Sequence, residues 1–291
     1  MRRKDVTMLP EFKAIVQLAE DGDVTAQLGL GTLYFVGIGV KKDNAKAEEW
    51  LLMAANQGMV EAQYFLGILY GEVKKYPEAL KWLHDAAKRD FADAKVSLGC
   101  LYHDGIGVEQ DYEMSAEWFH RAAKQGNAEA QVKLGRLYLD GLGVKQDCVA
   151  AYNWFQKAAL QEDAAGQYFV GMSYQTGQGV DEDHETAAEW FQRAALQGYV
   201  DAQYQLGLSY LSGLGYDNDI ERAYYWLFIA ASSGYEDALK YRKEAAKQLS
   251  ILQRVRLEKM GKKWLKEHKR ESVRRLCGYP SMPLGYFFYE S

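Results

Sequence analysis

Six tryptophans constrain this chain more than any other feature. Trp50, Trp82, Trp118, Trp154, Trp190 and Trp226 are separated by 32, 36, 36, 36 and 36 residues. Other residues keep the same register. A Leu-Gly pair (Val-Gly once) places glycine at 31, 67, 99, 135, 171 and 207, and a tyrosine stands three residues after each one. Four residues after each tryptophan an Ala-Ala pair opens, at Ala54, Ala86, Ala122, Ala158, Ala194 and Ala230. A period of this size marks a stacked repeat, in which each unit buries its apolar face only against its neighbours. The usual inference from 291 residues, two globular domains, therefore does not apply.

Each unit reads as two helices. Helix A is represented by NAEAQVKLGRLYLD (127–140), with Ala130, Leu134, Leu137 and Tyr138 on one face. Helix B is represented by DCVAAYNWFQKAAL (147–160), with Ala151, Trp154, Phe155, Ala158 and Ala159 on one face. Acidic residues (Glu61, Asp93, Glu129, Asp201, Asp237) occupy the first turn of helix A, where the helix dipole favours them. Gly58, Gly126, Gly198 and Gly234 follow helix B, where a left-handed residue ends a helix without steric cost. In the A-to-B loop GLGVKQD (141–147) the glycines permit positive φ, Val144 tucks inward and Asp147 caps helix B. A mid-helix glycine such as Gly135 costs about 1 kcal/mol relative to alanine. Close approach of two helices offsets that cost, with the Ala pairs serving the same end and Trp and Tyr filling the wider spaces.

The unit A-x-x-x-L-G-x-x-Y-x-x-G-x-G-V-x-x-D-x-x-x-A-x-x-W-x-x-x-A-A-x-x-G resembles the Sel1-like repeat, a relative of the tetratricopeptide repeat with a longer interhelical loop, over residues 10 to 238. The resemblance implies an all-α fold, a right-handed α/α solenoid of Sel1-like helix–loop–helix repeats with helical caps. It also implies adaptor or scaffold roles in protein assemblies, commonly bacterial. The expected divisions are an N-terminal half-repeat cap (1–22), six repeats within 23–237 (24–59, 60–91, 92–127, 128–163, 164–199, 200–235), a basic C-terminal helical cap (238–276) and an aromatic tail (277–291).

Departures from the pattern are informative. The second unit, YGEVKKYPEALKW (70–82), lacks four residues, including both loop glycines and the capping Asp, which predicts a local change of superhelical angle. The fifth unit has Gly166 where its sisters carry Ala. Beyond Ala238 the register ends. Ser250 and Gln253 have the spacing of a capping box that starts a last helix, with Leu252, Val255, Met260, Trp264 and Leu265 as its apolar set. Residues 238–276 carry 14 Lys and Arg against 4 Asp and Glu, a balance of +10, so a chain of net charge −5 leaves −15 elsewhere. Two readings apply to this cap: a solvated helix offsetting an acidic body, or a binder of nucleic acid or a membrane surface. The tail CGYPSMPLGYFFYES is read as either a loose terminus or a segment folded back on the array.

No constellation for chemistry stands out. The five histidines are scattered, neither H-E-x-x-H nor Cys/His metal spacing occurs, and the GxG loops lack the following Gly-Lys-Ser/Thr of a phosphate cradle. Cys100, His103 and Asp104 lie close in sequence and allow a nucleophile reading beside the plainer one of unrelated surface residues. No S-x-x-K and no repeated Cys pairs support β-lactam hydrolysis. The expectation is a non-enzymatic protein without catalytic residues, metal or cofactor; a hydrolase on the same scaffold is the less favoured alternative. Three cysteines, an odd number with no paired spacing, and no apolar leader or spanning segment point to a cytoplasmic protein. By the tetratricopeptide resemblance, A helices line a concave wall, and the partner-binding face would comprise Tyr64, Ile68, Arg136, Leu139, Tyr168, Met172, Gln175, Tyr204, Leu208 and Leu211. Acidic residues at its edge suggest a protein or peptide partner with apolar anchors and some basic character, with nucleic acid and small-molecule substrate not expected. The tyrosines have an equal reading as packing between neighbouring A helices.

Overall fold

A computed structural model of the protein describes residues 10–276, with side chains over 12–268. Among the described residues there are fifteen α-helices and no strand. The chain divides into two compact units between Gln125 and Gly126. The first holds α1 (Pro10–Glu20), α2 (Val24–Val36), α3 (Asn44–Asn56), α4 (Val60–Glu72), α5 (Tyr76–Lys88), α6 (Ala92–Asp104) and α7 (Tyr112–Lys124). The second holds α8 (Ala128–Asp140), α9 (Cys148–Ala159), α10 (Ala164–Thr176), α11 (His184–Leu196), α12 (Val200–Ser212), α13 (Ile220–Ser232), α14 (Asp237–Ala246) and α15 (Ile251–Leu276). Even-numbered helices from α2 to α12 are A helices, and each pairs with the B helix that follows. The expected change of angle at the shortened unit remains an expectation, and the tail 277–291 lies outside the described residues.

The mid-helix glycines are explained by one contact made six times. A Cβ on Gly31, Gly67, Gly99, Gly135, Gly171 or Gly207 would fall 2.4–2.7 Å from the side chain of Leu51, Leu83, Phe119, Phe155, Phe191 or Leu227. Each of those is the residue just after the repeat's tryptophan, and each is buried. The Ala pairs pack in the same layer, with Ala54, Ala86, Ala122, Ala158, Ala194 and Ala230 fully buried. The tryptophans that mark the period fill less of this layer than expected. Trp50, Trp82, Trp154 and Trp190 are only half-buried, and Lys81, Lys157 and Arg193 lie over the rings of Trp82, Trp154 and Trp190 at 5.5, 3.8 and 4.5 Å. An indole with a polar edge suits that outer position, where a cation can cover its face.

The loops repeat as closely as the helices. Asp43, Asp111, Asp147, Asp183 and Asp219 cap the B helices, each carboxylate accepting from a backbone N–H two or three residues on. Their own N–H groups donate to the carbonyls of Tyr34, Tyr102, Tyr138, Tyr174 and Tyr210 at 2.9–3.0 Å. The second loop glycine has a steric reason beyond its positive φ: a Cβ on Gly179 would lie 2.1 Å from the Cys148 carbonyl oxygen, and one on Gly215 2.1 Å from that of His184. In the shortened hairpin Lys74 takes φ 60° and Lys75 donates to Tyr70 instead.

A glutamine ladder ties the ends of B helices back to a buried glutamine on the A helix of the same hairpin. Gln57, Gln161 and Gln197 donate from Nε2 to the Oε1 of Gln27, Gln131 and Gln167 at 2.8–2.9 Å. Lys95 replaces glutamine once; its buried ammonium donates to Asp90 at 2.6 Å and to Gln125 at 2.9 Å. In the last repeat the donor position is the short Ser233, and the buried Gln203 Oε1 is left without a partner.

The last two helices cap the second unit. The Ser250 box forms as its spacing predicts: Gln253 N–H donates to Ser250 Oγ at 3.3 Å and Ser250 N–H to Gln253 Oε1 at 2.9 Å. The apolar set expected for α15 needs correction. Leu252, Val255 and Met260 are exposed, while the packed face is Leu257 against Tyr224 and Leu249, Gly261 under the Phe228 ring, and Trp264 6.0 Å from Trp226. His268 extends that face, its Nε2 2.8 Å from the Leu196 carbonyl oxygen and its ring stacked on Trp264.

Candidate functional site

The ten residues expected to face a partner fall into distinct environments. Tyr64 and Ile68 are 3% and 4% exposed, with the Tyr64 ring 5.2 Å from Phe91 and 5.4 Å from Phe65. They have no surface to present, because α4 is buried along almost its whole length, from Tyr64 through Gly71. The other eight belong to the second unit. Arg136 is exposed; Leu139, Tyr168, Met172, Gln175, Tyr204, Leu208 and Leu211 are half-buried on α8, α10 and α12. Met172 and Tyr168 rest on the core around Phe191 and Leu206, and Tyr204 and Leu211 on that around Leu227.

What gathers around these residues is a belt of rings at the N-terminal ends of the A helices. The Tyr168 ring lies 5.1 Å from Tyr199, the residue preceding α12. The Tyr204 ring stacks on Tyr235 at 4.6 Å and 27°, and lies 6.0 Å from Tyr241. At the other end of the belt the Arg136 guanidinium covers Phe169 at 5.8 Å, and Phe169 stacks on Phe155 at 4.8 Å. Tyr199, Tyr235 and Tyr241 were not among the sequence candidates. A signal for two of them exists: the position before helix A is Met59, Phe91 or Tyr199 in three repeats, and Tyr235 falls in the same register ahead of α14, an apolar column.

Acidic groups share this surface. Asp201 and Asp237 sit in the first turns of α12 and α14, and neither takes part in a salt bridge among the described residues. Burial, then the Asp201 carboxylate and Tyr235, push the Tyr168 phenol up to about 12, opposed by a hydrogen bond with Gln205. Burial first and Asp201 next also raise Tyr199 and Tyr235. Tyr204 is pushed up to about 12 by burial, with Tyr241, Tyr235 and Asp237 adding to it. Each phenol therefore stays protonated and available as a donor near a field that favours cations.

The other candidate chemistry is accounted for by neighbours. His103 Nδ1 is 2.6 Å from Asp104 Oδ1 and its ring lies edge-on to Tyr112 at 5.2 Å. Among the described residues no group of three or more His, Cys, Asp or Glu is placed to hold a metal ion, and no helix is long and apolar enough to cross a membrane.

Serial helix–loop–helix hairpins, joined by a repeated steric contact and a repeated capped loop, define a helical repeat protein. The Sel1 repeat matches residues 24–59, 60–91, 92–127, 128–163, 164–199 and 200–235, and the chain belongs to the Sel1 repeat family. The crystal structure of a Sel1 repeat protein from Oxalobacter formigenes is 33% identical with a TM-score of 0.69, covering 78% of this chain and 91% of that one. A protective antigen of uropathogenic Escherichia coli displaying an SLR fold is 23% identical, with a TM-score of 0.44 over 92% of this chain and 82% of that one. A sel1-like repeat-containing protein of Acanthamoeba polyphaga mimivirus is 39% identical over 66 residues, 23% of this chain and only 12% of that protein's length. Sel1 repeat proteins are generally non-catalytic scaffolds that bind proteins.

Proposed function

We propose that this chain is a non-enzymatic, cytoplasmic adaptor or scaffold that holds a protein or peptide bearing apolar anchors and basic side chains. The binding face is that of α8, α10 and α12, where Arg136, Leu139, Tyr168, Met172, Gln175, Tyr204, Leu208 and Leu211 retain exposed surface. The observation that carries this reading is the juxtaposition of half-exposed tyrosine rings with the carboxylates of Asp201 and Asp237, which have no salt-bridge partner among the described residues. Rings supply apolar and cation–π contact at low entropic cost, phenols donate hydrogen bonds, and the carboxylates select positive charge. The family's general role as a protein-binding scaffold supports the same reading. Cysteine usage supports the compartment: the three cysteines of the sequence are an odd number with no paired spacing.

The test is a panel of fluorescent twelve-residue peptides carrying the same Leu and Phe anchors with lysine, neutral or glutamate residues between them. Tightest binding is expected for the lysine series. Asp201→Lys with Asp237→Lys should abolish that preference while leaving far-UV circular dichroism unchanged, since neither side chain is buried. Equal binding of all three series, or a preference untouched by the charge reversal, overturns the reading.

A further inference from the structure

The exposed face of α15 combines two features that its packed face explains neither of. Ile251, Leu252 and Val255 are 70%, 82% and 60% exposed, and Leu252 is the most exposed large hydrophobic residue among those described. Lys259, Lys262, Lys263 and Lys266 are exposed further along the same helix. At 100° per residue these seven side chains fall within a sector of about 120°. The packed set, Leu257, Gly261, Trp264 and His268, lies on the opposite side. The face is therefore an aliphatic tip continued by a lysine stripe. Among the described residues, only Lys263 of those lysines meets an acid in a salt bridge, Glu267 at 4.0 Å. Arg256, at the margin of the sector, is engaged by Glu221 and stays on the protein.

We propose that this face is an anionic lipid-surface contact, with Ile251, Leu252 and Val255 entering the boundary between headgroups and acyl chains and the lysines meeting lipid phosphates. Charge complementarity selects an anionic partner. The aliphatic tip selects a bilayer over nucleic acid, because a phosphate backbone gains nothing from three neighbouring aliphatic side chains, whereas an interfacial helix buries them. The packing of Leu257, Gly261 and Trp264 presents the lysine stripe on a folded platform and not on a helix that must order on binding. This proposal is independent of the peptide-binding face on α8, α10 and α12.

The full chain is sedimented with vesicles of phosphatidylcholine alone and with vesicles of equal phosphatidylcholine and phosphatidylglycerol. Binding to the anionic vesicles alone is expected. Lys259→Gln, Lys262→Gln and Lys266→Gln should each weaken it about fivefold, and Leu252→Ser with Val255→Ser on the order of tenfold. Circular dichroism should not change, because every replaced side chain is exposed. The proposal is overturned by no binding, by equal binding to both vesicle types, or by binding that depends on the lysines but ignores the aliphatic pair. It is also overturned if duplex DNA binds as tightly as the anionic vesicles. Concentration-dependent self-association that vanishes in the Leu252→Ser, Val255→Ser variant would reassign the face to a second copy of this chain.

Discussion

Gly166 occupies the third position of α10, where the five sister repeats place alanine, buried at Ala62, Ala94, Ala130 and Ala202 and partly buried at Ala26. Replacing it by alanine restores the repeat pattern, and helix propensity alone promises a gain of up to about 1 kcal/mol. The surroundings oppose that gain. A Cβ on Gly166 would lie 2.7 Å from Ala158 Cβ, 2.7 Å from the Ala159 backbone nitrogen and 2.9 Å from the Ala158 carbonyl carbon. Two of these atoms are backbone, so no rotamer change relieves the overlap and α9 and α10 must separate by several tenths of an ångström. Overpacking of this kind costs about 1–3 kcal/mol, so Gly166→Ala is expected to destabilise by about 0.5–2 kcal/mol net. Gly29 is the matched control: it is helical, its φ is not positive, and an added Cβ would meet nothing within 4 Å. Gly29→Ala is expected to stabilise by up to about 1 kcal/mol. Thermal unfolding of both variants followed by far-UV circular dichroism should move Tm in opposite directions by a few degrees. If Gly166→Ala raises Tm as Gly29→Ala does, the reasoning from helix approach is refuted.

The glutamine ladder predicts a paired result in urea unfolding: Gln197→Ala, which strips the donor from buried Gln167 Oε1, should cost about 1–2 kcal/mol, and Ser233→Gln, which supplies one to Gln203 Oε1, should gain about 1 kcal/mol. Glu162 holds φ 61° where four sister repeats have glycine, so Glu162→Gly should stabilise by about 1 kcal/mol in the same assay; its hydrogen bond from Gln167 can pass to the Ala159 carbonyl, as the equivalent Gln203 bonds Ala195. The raised phenols of Tyr168 and Tyr204 stabilise the fold while they remain protonated. Unfolded chains lose those protons near pH 10, so stability should be full below pH 10 and decline between pH 10 and about 12, read by circular dichroism alongside phenolate absorbance.

Much of the helical architecture was legible in the sequence because its cause is local and repeated. Asp147 caps α9 and Ser250 pairs with Gln253 through interactions spanning two or three residues, and such spacings can be read without knowing the fold. Partners across helices were less legible. The tryptophan column drew attention to itself, but the side chain that forbids a Cβ on Gly135 is its neighbour Phe155. The outward turn of Leu252 and Val255 was hidden because the packed face of α15 is organised around Gly261, a residue that no hydropathy pattern counts as apolar.

The order of residues alone determined that the chain forms helical hairpins of a recurring length, capped and regular in all but the shortened second unit, since turn chemistry, capping and period are set within a few tens of residues. Which copies of a repeated position remain at the surface was decided only in three dimensions. Tyr64 is enclosed by Phe65 and Phe91 while Tyr168 and Tyr204, in the same register, keep part of their rings exposed beside Asp201 and Asp237. The physical reason is that exposure depends on what the neighbouring hairpin brings to the contact, and identical positions in a repeat do not have identical neighbours.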